Sequence, residues 1–293
     1  MCNRFGSRSS TKNNVALVYF SLGNLQMKNR SSFHSIFLLS IFTSKQMSEF
    51  GLNLLLRPII EIIKKLEEGV EMDLQGKFVK VFGTLAVVVA DNLASHEIGG
   101  FKTGFARGFR KCRFCLATAE DINSKYCQES FILRNKEDHD MWCELINSAS
   151  NAGEKLHYSR VYGIHHKSIL NDLKYFHVIE GLPPDAMHDI LEGIMPKQIA
   201  KLLHLLAIQK KLINLNQLNH MIQNFMYGPN EIKSKPTLIK LKHLKRHSLR
   251  KPSSQIATLA TILPLLIGKV VPMRMKRWQA FIHPTFGNKS YRV

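Results

Sequence analysis

An acidic residue follows an apolar segment in the first third of the chain. Leu85 to Ala90 is an unbroken run of apolar, largely β-branched residues, and it ends in Asp91. Such a run is typical of a strand that is covered on both faces. A carboxylate at the end of a buried strand is poorly solvated unless it accepts hydrogen bonds or binds a cation. Asp91 is therefore a candidate metal ligand, and the alternative is that it caps the segment that follows.

Cysteine and histidine residues downstream of Asp91 have spacings that suit a metal ion. Cys112 and Cys115 are separated by two residues, so two thiolates from one tight turn can reach a tetrahedral ion. His139 and Cys143 are four positions apart, which places an imidazole and a thiolate on one face of a helix. Together these four side chains predict a structural zinc site. The alternative is that Cys143 is a buried thiol that behaves as a small hydrophobic residue.

Another acidic stretch begins after two prolines. Pro183 and Pro184 force an extended backbone, and Asp185 then stands where the N-cap of a helix is expected. His188 lies one helical turn further on, so both side chains can face the same cleft. The pair fits both a structural cap and a group that orders a catalytic loop.

These residues resemble those of transposases encoded by eukaryotic cut-and-paste DNA transposons. The similarity extends roughly from Gly6 to Gln279 and is carried by three segments, namely Asp91 to His96, Cys112 to Cys115 and Gly181 to Gly193. Such transposases have a ribonuclease-H-like core with three carboxylates, and many carry zinc and an Asp-x-x-His motif. The resemblance implies that Asp91 is the second carboxylate and that Asp185, His188 and Glu192 support the site.

The resemblance also implies that parts of such an enzyme are missing. The family carries its first carboxylate on the first strand of the core, but no acid precedes Glu49, and only Glu231 follows Glu192. We therefore expect a truncated or domesticated fragment in which Asp91 is vestigial. A more distant similarity to the catalytic subunit of the V(D)J recombinase implies another zinc ligand set, in which His139 acts with a downstream histidine.

Hydrophobic periodicity predicts the elements that would position these residues. Apolar runs predict four strands, at Val15–Leu22, Ser35–Phe42, Phe78–Phe82 and Leu85–Ala90. Apolar residues at helical spacing predict one amphipathic helix at Leu52–Glu68. Pro58 would occupy the first turn if this helix started near Arg57. The order of elements predicts an α/β fold with an incomplete ribonuclease-H-like sheet, whose first strand is missing, followed by a mainly helical, zinc-stapled insertion region.

Apolar stripes at helical spacing continue to the end of the chain. Three of them should form helical core, and they begin at Ile199, Leu215 and Ile256, with Ser253 or Ser254 as a cap for the last. Pro196 should break or restart the helix that Asp185 opens. We predict four regions, namely a partial catalytic core at 1–111, a zinc-binding insertion at 112–180, a helical region with a basic patch at 181–282 and an unrelated tail at 283–293.

The charge balance points to an anionic partner. The chain has 41 Lys and Arg residues against 22 acids, a net charge of +19, and residues 229–293 hold fourteen of these cations and one acid. Unpaired charge at this density repels itself without a partner, although a solvated basic face is the alternative. The candidate nucleic-acid contacts are Lys240, Lys242, Lys245, Arg246, Arg250 and Lys251. The connector with Lys102, Arg107 and Arg110 can also meet phosphates, and simple solvent exposure explains it equally well.

The remaining sequence features exclude several classes of protein. Five cysteines, an odd number, do not suggest a disulfide framework, and no apolar run is long enough to span a bilayer. No Walker loop or dinucleotide-binding glycine pattern is present, so we expect no small-molecule cofactor. We predict a soluble, intracellular protein, located in the nucleus by the resemblance, that binds DNA and not membranes and is open to homo-oligomerisation.

Three functions follow from these predictions. The first is a transposase-derived nucleic-acid-binding protein without cleavage or strand-transfer activity. The second is a competent transposase or nuclease in which Asp91, Asp185 and Glu192 hold magnesium, the cation that suits carboxylate and phosphate oxygens. The third is a zinc-dependent interaction module that binds RNA or an acidic partner. Magnesium is expected only in the second case.

Overall fold

The computed structural model describes residues 15–30, 32–104 and 109–286, with side chains to residue 282. Arg107 and the end of the predicted tail lie outside these ranges. The chain divides into an N-terminal unit, Met1–Pro184, and a C-terminal unit, Asp185–Val293. Each unit has its own cluster of buried apolar side chains. Within the described ranges, no helix combines the length and the hydrophobicity needed to cross a membrane.

The strands of the N-terminal unit form two separate hairpins. β1 (Val15–Phe20) pairs antiparallel with β2 (Phe37–Thr43), which confirms two predicted strands to within a few residues. β3 (Val70–Leu74), which the sequence analysis missed, pairs with β4 (Lys77–Val81). The turn between them, Gln75–Gly76, has positive φ at both residues, as tight two-residue hairpin turns require. The described part of the chain is thus mixed α/β with two small antiparallel sheets.

The prediction of a buried strand over Leu85–Ala90 is wrong. This segment belongs to no strand, and Val87 and Val89 are 49% and 67% exposed. Among the described residues, β1 and β2 pair with each other and not with this segment, so they supply it with no strand hydrogen bonds. Val88 instead donates one backbone hydrogen bond to Gly181, at 2.9 Å. A ribonuclease-H-like sheet is therefore not formed by the described residues.

The long helix of the N-terminal unit has the predicted bounds. α3 (Leu52–Glu68) follows two short helices, α1 (Met27–Arg30) and α2 (Ser44–Phe50), and ends at Gly69. Gly69 has φ +92°, a backbone conformation that residues with a side chain rarely adopt, so glycine is favoured there. Pro58 lies inside α3 and not in its first turn, because the helix begins at Leu52 and not near Arg57.

Five shorter helices follow in the described part of the N-terminal unit. They are α4 (Asn92–Ile98), α5 (Ala119–Ser124), α6 (Lys136–Asn147), α7 (Ala152–Tyr162) and α8 (Val178–Gly181). The rings of Trp142 in α6 and Tyr162 in α7 stack with centroids 4.8 Å apart. Ile146 of α6 is completely buried in the same core. This packing holds the predicted metal ligands of α6 against the rest of the unit.

The C-terminal unit is helical, as predicted. π-helical turns at Met187–Ile194 lead directly into α9 (Met195–His204) and a second π-helical stretch at Leu205–Gln209. Pro196 is accommodated in the first turn of α9, where its missing N–H is not needed, so the helix restarts there. The other helices are α10 (Leu215–Asn224), α11 (Leu241–Lys245), α12 (Ser253–Ile267) and α13 (Lys276–Phe286).

The predicted apolar stripes form the core of the C-terminal unit. Ile199 and Leu203 of α9, Ile222 of α10 and Leu259 of α12 are fully buried in one cluster. Neither Ser253 nor Ser254 caps α12, because Pro252 occupies the N-cap position and both serines lie inside the helix. The Ser253 hydroxyl bonds Glu192 instead. The helical periodicity was thus a reliable guide to packing in this unit.

Candidate functional site

Asp91 is the N-cap of α4. Its Oδ1 accepts a hydrogen bond from the backbone N–H of Ala94 at 2.8 Å, which satisfies a donor at the start of the helix. The helix continues to Glu97, an acid that the sequence analysis did not single out. Burial, and then the charge of Asp91, raise the pKa of Glu97. The two carboxylates therefore lie near each other in the N-terminal unit.

The cysteine loop is fastened to α4. Arg113, within the loop, donates from Nη1 to Oδ1 of Asn92 and from Nη2 to the carbonyl of Pro183, both at 2.8 Å. His96 lies with its two ring nitrogens against backbone carbonyls, at Asn92 and at Lys111. These bonds position Cys112 and Cys115 at the start and the end of a short loop beside the helix that Asp91 caps.

The two thiols of this loop lie close together. The Cys112 sulfur accepts the backbone N–H of Phe114 at 3.3 Å, and Cys115 forms an isolated backbone bridge with Leu133. Burial, with a smaller contribution from Cys112, raises the pKa of the Cys115 thiol. This arrangement is the two-thiol half of the predicted zinc site.

The other half lies on α6, with the predicted one-turn spacing. Nε2 of His139 is 3.6 Å from the Cys143 sulfur, and both residues are almost completely buried. Burial lowers the pKa of His139 to about 4 and raises that of Cys143 to about 12. Nδ1 of His139 is buried and has no hydrogen-bond partner within the described residues. The ring of His177, a downstream histidine, lies 5.4 Å from that of His139.

A buried arginine that the sequence analysis missed contacts the cysteine loop. Arg134 donates from Nε to the carbonyl of Cys112 at 3.2 Å and from Nη2 to that of Tyr162 at 2.7 Å. Burial lowers its pKa to about 10, while the cysteines at 112, 115 and 143 act in the opposite direction. The guanidinium is therefore in electrostatic contact with both halves of the predicted zinc site. Its only sequence signal is a charge at the end of the apolar run Phe131–Leu133.

The donor types fit zinc, but they are arranged as two pairs. Within the described residues, no three His, Cys, Asp or Glu side chains are grouped so that they can hold one metal ion. The orphaned Nδ1 of His139 nevertheless marks a buried nitrogen that lacks a partner. The zinc site of Cys112, Cys115, His139 and Cys143 therefore stays a prediction, and an ion held by these residues would have a structural role.

Asp185 and His188 contact each other as their spacing predicts. Asp185 Oδ1 accepts the backbone N–H of His188 at 3.1 Å, and its Oδ2 makes a short hydrogen bond with Nδ1 of the imidazole. On the other side of the ring, Nε2 lies 4.0 Å from Oε2 of Glu192. Glu192 also accepts the Ser253 hydroxyl at 2.7 Å. These four side chains form a polar row along the π-helical turns.

The basic residues divide into exposed cations and one engaged lysine. Lys240, Lys242, Lys245, Arg246 and Arg250 are exposed around α11. Lys251 instead uses all three ammonium donors, since Nζ bonds the Thr237 carbonyl at 2.6 Å, the Thr237 hydroxyl at 2.8 Å and the Leu238 carbonyl at 3.2 Å. Burial, and then Lys240, lower its pKa to about 8. Lys251 therefore holds the local backbone and has no donor left for a phosphate.

Comparison with known proteins adds no relative. No model of a known protein family matches the sequence, and no curated protein shows a significant match to it.

Proposed function

We propose that this protein is a transposase-derived nucleic-acid-binding protein that holds DNA without cutting or joining it. The observation that carries this proposal is the group of exposed cations around α11 in the C-terminal unit. A protein that binds chromosomal DNA acts in the nucleus, so a nuclear location belongs to the same proposal.

The cations around α11 are close enough to act together on His243. After burial, the charges of Lys251, Lys242 and Lys240, and then that of Arg246, lower the pKa of His243. Glu231 is the single acid between residues 229 and 293, so neutralisation within this segment is slight. Phosphates neutralise such a surface and release their condensed counterions on binding, which favours association without reading the base sequence.

The hydrogen bonds that the candidate carboxylates make support the proposal of DNA binding without cleavage. Asp91 caps a helix, Asp185 bonds His188, and Glu192 accepts a hydroxyl from Ser253. Two-metal phosphodiester chemistry needs carboxylates that converge on two ions about 4 Å apart. Each of these acids has a structural partner in its own unit, so we assign no magnesium to this chain.

Zinc belongs to the proposal as a structural ion. Cys112 and Cys115 would supply two thiolates, and His139 and Cys143 would supply the remaining donors. When bound, zinc would join the cysteine loop to α6 and add its binding free energy to the stability of the fold. The cysteine loop is also held by two arginine side chains, since Arg113 donates to the carbonyl of Pro183 and Arg134 donates to that of Cys112.

Fluorescence anisotropy with a labelled DNA duplex tests the proposed function. We expect binding that weakens steeply with salt. Replacing Lys240, Lys242 and Arg246 together by Gln should reduce the slope of log affinity against log salt by about 3, because each phosphate contact contributes roughly 0.9. A matched control replaces Lys64, Lys125 and Lys136, which form ion pairs in the N-terminal unit, and should change the slope little.

Two outcomes would replace the proposal. Magnesium-dependent nicking of a supercoiled plasmid that disappears in Asp91→Asn would identify a competent nuclease. Tighter binding of RNA than of duplex DNA at equal salt would favour an interaction module for RNA. DNA binding that does not depend on salt, or an equal reduction of the salt slope in the control variant, would show that the cations around α11 do not bind the DNA.

A further inference from the structure

Two segments of the N-terminal unit carry cations and no acid. Residues 98–119 hold five Lys or Arg residues, and residues 155–171 hold three together with three histidines, while neither range contains Asp or Glu. Charge of one sign at this density repels itself unless an anion binds to it or solvent screens it. The sequence alone does not show that the two segments meet.

The structure joins the two segments at Gly163, the C-cap of α7. The backbone N–H of Lys102 donates to the carbonyl of Gly163 at 3.0 Å. Next to this bond, the buried residues Phe101 and Ile164 form an antiparallel bridge. Successive side chains of an extended segment point to opposite sides, so Lys102 points away from the core into which Phe101 packs.

Two arginines reach the same place. Arg110 donates from Nε to the carbonyl of Val161 at 3.2 Å. A Cβ on Gly163, which has φ +71°, would lie 2.8 Å from the Arg110 carbonyl oxygen, so glycine permits this close approach. Arg160 lies one turn before Gly163 in α7 and is exposed. The Gly163 surface is the group formed by Lys102, Phe109, Arg110 and Arg160.

The cations of the Gly163 surface are available to an outside anion. Within the described residues, Lys102, Arg110 and Arg160 form no ion pair. Arg110 uses only Nε for the end of α7, and its two Nη atoms make no hydrogen bond in the described part of the chain. A guanidinium with two free terminal nitrogens suits the oxygens of a phosphate.

The acids that border the two segments in the sequence are occupied or buried. Glu154 accepts the backbone N–H of Ser150 and the hydroxyl of Tyr158. Asp172 pairs with Lys167, and Oε2 of Glu97 is buried. The positive charge of the Gly163 surface is therefore not cancelled by these carboxylates.

An aromatic ring lies beside these cations. Phe109 is 45% exposed, and the guanidinium carbon of Arg110 lies 5.3 Å from the centroid of its ring. Proteins that bind single-stranded nucleic acids combine cations for the phosphates with exposed aromatic rings on which bases stack. A duplex hides the faces of its bases, so only an unpaired base can stack on Phe109.

We propose that the Gly163 surface binds single-stranded nucleic acid, with its three cations contacting phosphates and the Phe109 ring stacking on a base. This surface lies in the N-terminal unit and does not depend on the cations around α11. It goes beyond the proposed binding of duplex DNA, because it distinguishes unpaired from paired bases.

Fluorescence anisotropy of the full chain with a short labelled oligo(dT) tests the phosphate contacts. Replacing Lys102 and Arg160 together by Gln should reduce the slope of log affinity against log salt by about 1.4, because each phosphate contact with a single strand contributes roughly 0.7. Arg110 is kept because its Nε also holds the end of α7. Replacing Lys64 and Lys125, which form ion pairs, is the matched control and should change the slope little.

The same titration tests the stacking. Phe109→Ala should weaken the binding of oligo(dT) at least about fivefold at each salt concentration and leave the slope unchanged. Phe33→Ala, which removes a ring that is 89% exposed outside this surface, should have no effect. Inorganic polyphosphate has no bases, so Phe109→Ala should bind it as tightly as the unmodified protein does.

Several results would overturn the proposal. They are the absence of salt-dependent oligo(dT) binding, an unchanged slope in the cooperatively melting variant of Lys102 and Arg160, and an unchanged affinity in Phe109→Ala. A loss of polyphosphate binding in Phe109→Ala would also overturn it, because the ring would then support the fold and not a base.

A failure of this surface is distinguishable from a failure of the cations around α11. The variant of Lys240, Lys242 and Arg246 should lose duplex binding and keep oligo(dT) binding that depends on Phe109. Oligo(dT) binding that disappears in this variant would assign the single strand to α11 and overturn the proposal.

The single strand can be DNA or RNA, since both offer phosphates and unpaired bases. Titration with oligo(dT) and oligo(U) of equal length separates these sources, and the tighter ligand identifies the source. The effect of Phe109→Ala should appear with both, and its absence with both removes the site.

Discussion

Glu97 carries a buried carboxylate oxygen without a hydrogen-bond donor, and this arrangement makes folding depend on pH. Its pKa is raised in the folded protein, by burial and then by Asp91. The folded state therefore keeps the proton at pH values where the unfolded chain releases it. The contribution of Glu97 to the free energy of unfolding is fully present below the pKa of the unfolded chain, about 4.3. It is lost as the pH rises through the pKa of the folded protein.

Glu97→Met removes this dependence. Relative to the unmodified protein, the variant should gain stability as the pH rises from about 4 to about 7. Urea unfolding at both pH values measures the difference. Glu49→Met serves as control because its carboxylate is exposed. A smaller gain at pH 7 than at pH 4 would contradict the assigned direction of the pKa shift.

Spacing rules predicted the site residues that interact within one turn. The pairs His139 with Cys143 and Asp185 with His188 are in contact. Glu97 was not foreseen, because the pocket that it lines also takes residues more than sixty positions away in the chain, such as His166. Arg134 and Lys251 were missed or misjudged for the same reason, since only tertiary contacts decide whether a cation is free or bound to carbonyls.

Among the elements, the long helices and three of the four strands were predictable, and the sheet that the strands were expected to form was not. The bounds of α3 and the buried stripes of α9 and α12 follow from local periodicity and end signals. An apolar run such as Leu85–Ala90 has no such local determinant, because a strand exists only if a neighbour supplies its hydrogen bonds. No described strand lies in that position, so the segment stays outside both sheets.

The cysteine loop and α6 provide a prediction about metal. If zinc joins them, the purified protein should contain about one zinc ion per chain, and removal by a chelator should lower the melting temperature. At a free zinc concentration a hundred times the Kd, the bound ion adds about 2.7 kcal/mol of stability. Cys112→Ser should lose this zinc, and Cys127→Ser should keep it because Cys127 is exposed and outside the predicted set.

The measurement is zinc content by mass spectrometry together with thermal unfolding. A protein without zinc, or a Cys112→Ser variant with unchanged zinc content, would show that Arg113 and Arg134 hold the loop without a metal. Equal loss in Cys127→Ser would indicate unspecific thiol binding.

For the whole molecule, two hydrophobic cores predict two unfolding events. Ile146 is fully buried in the core of the N-terminal unit, and Leu203 is fully buried in that of the C-terminal unit. Truncating a buried Ile or Leu to Ala costs about 2–5 kcal/mol. Calorimetry of the full chain should resolve two transitions, since separate cores need not unfold together.

The two truncations should act on different transitions. Ile146→Ala should lower only the melting temperature of the N-terminal unit, and Leu203→Ala only that of the C-terminal unit. Raising the salt concentration should raise the melting temperature of the C-terminal unit most, because residues 229–293 carry fourteen cations and one acid. Met221→Ala, at a 39% exposed position of α10, is the surface control and should shift neither appreciably. A single transition that both core variants lower equally would mean that the two cores unfold as one cooperative body.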